Sequence, residues 1–157
     1  MRGGLLVTTT LMLRLASLIS LLFAVGHSLG GLGKWSPMGD NAVLKAMTDV
    51  HFTTMGVDRS YLDLYMGLGW SISVAMLLQT AVLWYMASIA RGNVAQVRPM
   101  IAAFALATLV SGVIAWRFIL PIPALFSAVL LVALAAAYAT THRSMPERDG
   151  APKNSKR

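Results

Sequence analysis

Six residues carry this chain's polar and aromatic chemistry: His27, Arg59, Tyr61, Asp63, Tyr65 and Trp70. A histidine beside an aspartate is held in one tautomer and can take or give a proton near neutral pH, the requirement of general acid–base work. An arginine four residues before an aspartate can pair with it across one helical turn, or hold a carboxylate or anionic head group with two parallel hydrogen bonds. Tyrosine and tryptophan carry an apolar ring with a polar tip, so they either anchor at a membrane interface or wall a pocket. His27 and Asp63 are therefore the candidate catalytic pair, and all six form the candidate ligand-binding set. Each has a plainer reading as well. His27 with Asp63 could tie two helices together, Arg59 with Asp63 could be an ordinary helix-start ion pair, and the rings could be anchors.

The elements that must position these residues are membrane helices. Four stretches carry no formal charge: Leu15–Gly33, Leu64–Ala90, Pro99–Trp116 and Phe118–Thr141, of 19, 27, 18 and 24 residues. About 20 apolar residues cross the hydrocarbon core as a helix, and in lipid the backbone must satisfy its own hydrogen bonds. The composition, 57% hydrophobic with 12% charged, agrees. The fold class expected is all-α: a polytopic membrane four-helix bundle with spans at about 11–32, 61–90, 99–117 and 121–141. It forms one domain over 1–141, followed by a disordered, basic cytoplasmic tail at 142–157. Arg2, Arg14, the core Leu15–Val25 and Ala24-Val25-Gly26 would also fit a cleavable signal peptide. The apolar run continues through Leu29 and Leu32, which favours a retained first span.

Charge sets the expected orientation. Arg2, Arg14, Arg91, Arg98 and five basic residues after Thr141 lie on one side; Lys34, Lys45, Arg59 and Arg117 lie on the other. The positive-inside rule then puts both termini in the cytoplasm. His27, His51, Arg59, Asp63 and Arg117 fall at the outer mouth. The net charge of +7 reads as anchoring to anionic head groups rather than as a nucleic-acid surface. With no cysteine, thiol catalysis, disulfides and cysteine-ligated metals are excluded. Among three histidines His142 lies opposite to His27 and His51, so neither a metal nor another cofactor is expected.

Along the chain, Ser17, Ser20, Ala24, His27 and Gly31 make a small or polar stripe that should face the bundle interior. Ser60, Asp63, Gly67 and Ser71 suggest a matching face on the second span, and Ala105, Thr108, Gly112 and Ala115 one on the third. Lys34-Trp35 reads as an interfacial anchor, and Asp40 or Asn41 can cap a short amphipathic surface helix over 42–54 that carries His51. Gln79 should bond to a neighbouring helix near the midplane. Arg14 should snorkel to the head groups from a membrane boundary near Leu11. Arg91–Arg98 should be a connector, with Pro99 in the first turn of the third span.

The segments Gly26-His27-Ser28-Leu29-Gly30-Gly31 and Gly56-Val57-Asp58-Arg59-Ser60-Tyr61-Leu62-Asp63-Leu64-Tyr65-Met66-Gly67-Leu68-Gly69 resemble those of a family of small bacterial membrane proteins with no assigned activity. The resemblance covers roughly residues 11–90. It implies four transmembrane helices in the bacterial cytoplasmic membrane and brings no catalytic residues with it.

The expected function is binding of a small amphipathic or lipid-like molecule in a polar pocket that faces outward beneath the surface helix. Arg59 would meet the polar end and His27 and Asp63 would add hydrogen bonds, with proton transfer between them if chemistry occurs. A second reading is a non-catalytic accessory or assembly subunit of a larger membrane complex. Membrane lipids are the expected partners in both readings, joined in the second by a membrane protein or a further copy of this chain; no nucleic acid is expected.

Overall fold

The structure, a computed structural model, describes residues 2–31, 36 and 38–144, with side chains within 7–30, 36 and 38–141. The elements in order are α1 (Arg2–Gly26), a π-helical turn (His27–Gly31), α2 (Ala42–Asp49), β1 (His51–Thr54), β2 (Val57–Ser60), α3 (Tyr61–Ala90), α4 (Val94–Phe118) and α5 (Pro121–Ser144). The stretches Val7–Gly30, Tyr61–Ala90, Val94–Phe118 and Pro121–Thr141 are each long and apolar enough to cross a bilayer. The fold is thus an all-α four-helix membrane bundle, and the chain is an integral membrane protein. The Lys34–Trp35 anchor lies outside the described residues, as does the tail beyond the helical backbone of 142–144.

Local chemistry sets the helix ends. Ser60 and Asp63 form a reciprocal capping box: Ser60 Oγ accepts from the Asp63 amide at 3.1 Å, and the Asp63 carboxylate accepts from the Ser60 amide at 2.9 Å. Asn93 caps α4 by accepting from the Gln96 amide at 3.3 Å. The third span therefore starts at Val94, the connector shrinks to 91–93, and Pro99 lies inside the helix instead of in its first turn. Proline has no N–H to donate to the carbonyl of Ala95, a defect that membrane helices tolerate. Only Ile119 and Leu120 separate α4 from α5. At 1.5 Å per residue the 30 residues of α3 run about 45 Å, longer than the hydrocarbon core is thick.

Around the bundle the order is α3, α1, α5, α4. α1 packs at length on both α3 and α5, and α5 on α4, whereas α3 and α4 touch much less. The expected stripe on α1 is the inward one: Ser17 and Ser20 are almost fully buried and donate to the Thr80 and Met76 carbonyls of α3 at 2.8 and 3.4 Å. On α4, Gly112 lets α5 approach until an added Cβ would lie 3.1 Å from Ser127 Cβ. On α3 the inward face differs from the one expected. Of the expected face Ser60 is buried but Asp63, Gly67 and Ser71 are exposed, while Gly69, Ser73, Leu83 and Ala87 are buried. Ser71 sits on the outward face without loss because its hydroxyl bonds the Gly67 carbonyl of its own helix at 2.9 Å.

The packed core occupies one half of the bundle. Leu13 and Ala16 of α1 meet Leu83, Met86 and Ala87 of α3, Val97 and Ile101 of α4, and Leu134 and Ala137 of α5. This half includes the start of α1, the 91–93 turn and the end of α5, and we call it the terminal end. The other half, where the π-helical turn, the strands and the Ile119–Leu120 turn lie, is the hairpin end. Arg14 belongs to the terminal end and rests on α3, its guanidinium 4.5 Å from the Trp84 ring centre and its Nε buried without a hydrogen-bond partner among the described residues. α1 already starts at Arg2, so Arg14 lies 12 residues, about 18 Å, from the start of its helix.

The surface helix is shorter than its expected 42–54. It runs Ala42–Asp49, capped by Asn41 Oδ1, which accepts from the amides of Val43 and Leu44. The β-branched and aromatic residues after Val50 pair as an antiparallel hairpin, His51 opposite Ser60 and Thr54 opposite Val57, so His51 lies on a strand. Met55 and Gly56 form its two-residue turn, both with positive φ (52° and 77°), the signature of a type I′ turn. A methionine in this region is strained. Met55→Asn is expected to stabilise the hairpin by up to about 1 kcal/mol. Amide hydrogen exchange over 51–60 should slow accordingly; unchanged exchange would contradict the turn assignment.

Candidate functional site

Where the packed core stops, the bundle becomes hollow. A cavity of about 230 Å³ lies roughly half-way along the helices, lined by Ser20 and Phe23 of α1, Ile72, Ala75, Met76 and Gln79 of α3, Ala107, Thr108 and Ser111 of α4, and Ser127 and Leu130 of α5. All four spans contribute, as they must in a bundle whose helices diverge beyond the core. Phe23 closes one wall, its ring stacked on Phe126 at 4.8 Å and 5°.

The polar lining is uncharged. Thr108 and Ser127 are only 6% and 8% exposed. Neither hydroxyl has a hydrogen-bond partner among the described residues, although a buried helical threonine or serine commonly bonds back to its own helix. Each oxygen keeps some accessible surface and is not sealed into packing. The Gln79 amide, on the facing wall, likewise makes no side-chain hydrogen bond among the described residues; it lines the cavity and does not bridge to a neighbouring helix as its position led us to expect. Ser111 stands at the rim. A second cavity, about 280 Å³, lies along the α4–α5 contact and shares Thr108 and Ser127, with Leu109, Val113, Trp116 and Leu131 as apolar lining. The hydroxyls thus stand in the wall between two spaces, of which the first is the one with a polar face opposite.

The six residues singled out from the sequence occupy separate stations. His27 Nδ1 lies 3.0 Å from Ser73 Oγ, which is also 3.0 Å from Ser28 Oγ; Ser28 in turn bonds the Ala24 carbonyl at 2.8 Å. Asp63 is engaged by the capping box and does not meet His27. The reason is register: Ser73, level with His27, is ten residues beyond Asp63, about 15 Å along the helix. The direct His27–Asp63 pair is therefore not formed. The aspartate–histidine pair that the structure does contain is His51 Nδ1 with Asp58 Oδ2 at 2.8 Å, diagonal neighbours on the exposed hairpin. Arg59, one residue before the α3 cap, donates through Nη1 to the Asp58 carbonyl at 2.7 Å. Tyr61 packs its ring on Phe52 at 5.3 Å, and Trp70 is 53% exposed on the outer surface of α3.

Tyr65 alone of the six lines a described cavity. This groove of about 390 Å³ lies between α2 and the start of α3, with Met38, Leu44, Met47 and Leu62 among its walls. Methionine and leucine dominate this groove, whereas a polar lining was expected beneath the surface helix. As site residues, Ser111 and Ser127 carry no expectation from the sequence, and Thr108 only one of helix packing. Their signal is faint: small hydroxyls on different helices, indistinguishable from ordinary helix-packing residues until the helix order is known.

No protein-family model matches the chain, and no characterised protein or solved structure is similar enough to match it.

Proposed function

We propose that this integral membrane protein binds a small amphipathic or lipid-like molecule, with its polar head in the mid-bundle cavity. The observation that supports this reading is the pair of unpartnered hydroxyls, Thr108 and Ser127, each more than nine-tenths buried and lining one space opposite the Gln79 amide. Both hydroxyls keep their hydrogen-bonding capacity free and open to the cavity, so one ligand head that donates or accepts there can pair with both. The proposal moves the polar contacts from the hairpin-end set, where Arg59 and Asp63 were to provide them, to uncharged groups on α3, α4 and α5. It involves binding only, since no described group in the cavity is placed for proton transfer. On the resemblance of residues 11–90 we place the protein in the bacterial cytoplasmic membrane, and on its Lys/Arg asymmetry we place both termini inside.

The test is to purify the wild type and the Thr108→Val/Ser127→Ala variant in mild detergent and analyse the extracted lipids by mass spectrometry. The wild type is expected to retain an amphiphile enriched over bulk phospholipid, and the variant to lose it by about ten-fold or more, as for one to two lost hydrogen bonds. A wild type without any enriched amphiphile would overturn the proposal. A stoichiometric membrane protein co-purifying with such an empty bundle would favour the accessory-subunit reading instead.

A further inference from the structure

Resting on the binding reading above, we infer that the ligand is an amphiphile with an uncharged head, and that its alkyl tail leaves the cavity sideways, between α3 and α4, into the bilayer. Two observations carry this: what lines the cavity, and where its wall is missing.

The head must be neutral because none of the described lining residues carries a charge. The polar groups are the hydroxyls of Ser20, Thr108, Ser111 and Ser127 and the amide of Gln79. Ser20 is spent on the Met76 carbonyl. The remaining groups can each donate and accept, so a hydroxyl, carbonyl or amide head finds partners in either sense. A phosphate, carboxylate or ammonium head would lie half-way along the spans without a counter-ion, where an unpaired charge costs at least about 2.5 kcal/mol. Such heads are held at the membrane surface, whereas neutral amphiphiles visit the interior.

The tail must leave because the cavity is small. A space of about 150 Å³ holds one benzene ring; about 230 Å³ holds a head and its first few carbons. The outlet lies where the helices fail to meet. The residues of α3 and α4 in the packed core, Leu83, Met86, Ala87 and Ala90 with Val94, Val97 and Ile101, all lie near the 91–93 turn. Beyond them the two helices part. Ile72 (44% exposed) and Ala75 on one rim, and Ala107 and Ser111 on the other, line the cavity and are themselves exposed. A chain leaving between them enters lipid directly, without crossing a polar surface.

The native absence of cysteine makes the test clean. Protein in phosphatidylethanolamine–phosphatidylglycerol nanodiscs is photolabelled with hexadecanol bearing a diazirine near its head, or with the matching hexadecyl phosphate, and the labelled peptides are mapped. Hexadecanol is expected to label the peptides that carry Ala107–Ser111 and Ser127, about ten-fold or more above the phosphate. Equal or stronger labelling by the phosphate would overturn the neutral-head inference while leaving the binding reading intact. Labelling of the cavity by neither probe would overturn the binding reading itself. For the route, Ala75→Cys/Ala107→Cys is bridged with a bismaleimide, with Ile72→Cys/Ala107→Cys as the second pair should the first not fold. Bridging is expected to abolish hexadecanol labelling that the unbridged variant retains. Labelling that survives the bridge would show entry elsewhere, for example along the α4–α5 groove, and would overturn the lateral route.

Discussion

Gly112→Leu is expected to destabilise the bundle by about 3 kcal/mol or more. A β-carbon alone at this position would lie 3.1 Å from Ser127 Cβ, and that atom is fixed to the α5 backbone, so it cannot swing away. The helices themselves would have to separate. Overpacking of this kind costs about 1–3 kcal/mol. Gly112→Ala should fall within that range and Gly112→Leu at or above its top. Membrane helices depend on such close approaches, because lipid is as apolar as a leucine side chain and drives no association by itself. Ser127→Gly should partly rescue Gly112→Ala by removing the facing atom, and this coupling is the diagnostic. Unfolding of the four proteins in bicelles measures it. A fully tolerated leucine, or no coupling with position 127, would show that α4 and α5 do not meet there.

The second large effect separates binding from folding. Ala107→Phe places a phenyl ring at the rim of the mid-bundle cavity. Because the ring fills space instead of forcing packed helices apart, the variant is expected to keep its stability, or to gain up to about 2 kcal/mol, as cavity-filling changes often do. Ligand and ring cannot share the space, so retention of the amphiphile should fall at least about 100-fold, equivalent to about 2.8 kcal/mol. Thermal unfolding and extracted-lipid analysis of one preparation give both quantities. A variant that unfolds early would indicate a tighter site than described, and one that retains its amphiphile would place the ligand elsewhere. With Gly112→Leu the pair forms a contrast: one change should destroy packing, the other should empty the site while leaving packing in place.

The spans were legible because lipid leaves so little freedom: a long uncharged run has to be a helix. The α1 stripe was legible for a related reason. Ser17 and Ser20 are small, lie at helical spacing and have hydroxyls that can reach a neighbouring backbone, as they do. The same logic misread α3, where Asp63, Gly67 and Ser71 share a face but Asp63 is taken up by the cap and Ser71 by its own helix. The β-hairpin escaped because Met55-Gly56 lacks the asparagine or aspartate that marks a type I′ turn.

The site was the least legible part, and the physical cause is twofold. Attention to ionisable residues led to Arg59, Asp63 and His27, each of which has a nearby partner in its own element or in the adjacent helix. The cavity depends instead on Gln79, Thr108, Ser111 and Ser127, uncharged residues whose convergence requires the order α3, α1, α5, α4 and the parting of α3 from α4. Spacing within one helix carries no information on either. Gln79, an amide in the middle of a span, was the one visible pointer; its position was noted, but a helix-bridging bond was expected where the structure has a cavity wall.

Native mass spectrometry of the wild type released from nanodiscs made with its own membrane lipids counts ligands per protomer and so decides whether the bundle holds one. The expected spectrum has one adduct of discrete mass per protomer that survives activation which strips bulk phospholipid, and Ala107→Phe lacks it. Bare protein after that activation, or the same phospholipid ladder on both proteins, would contradict the account.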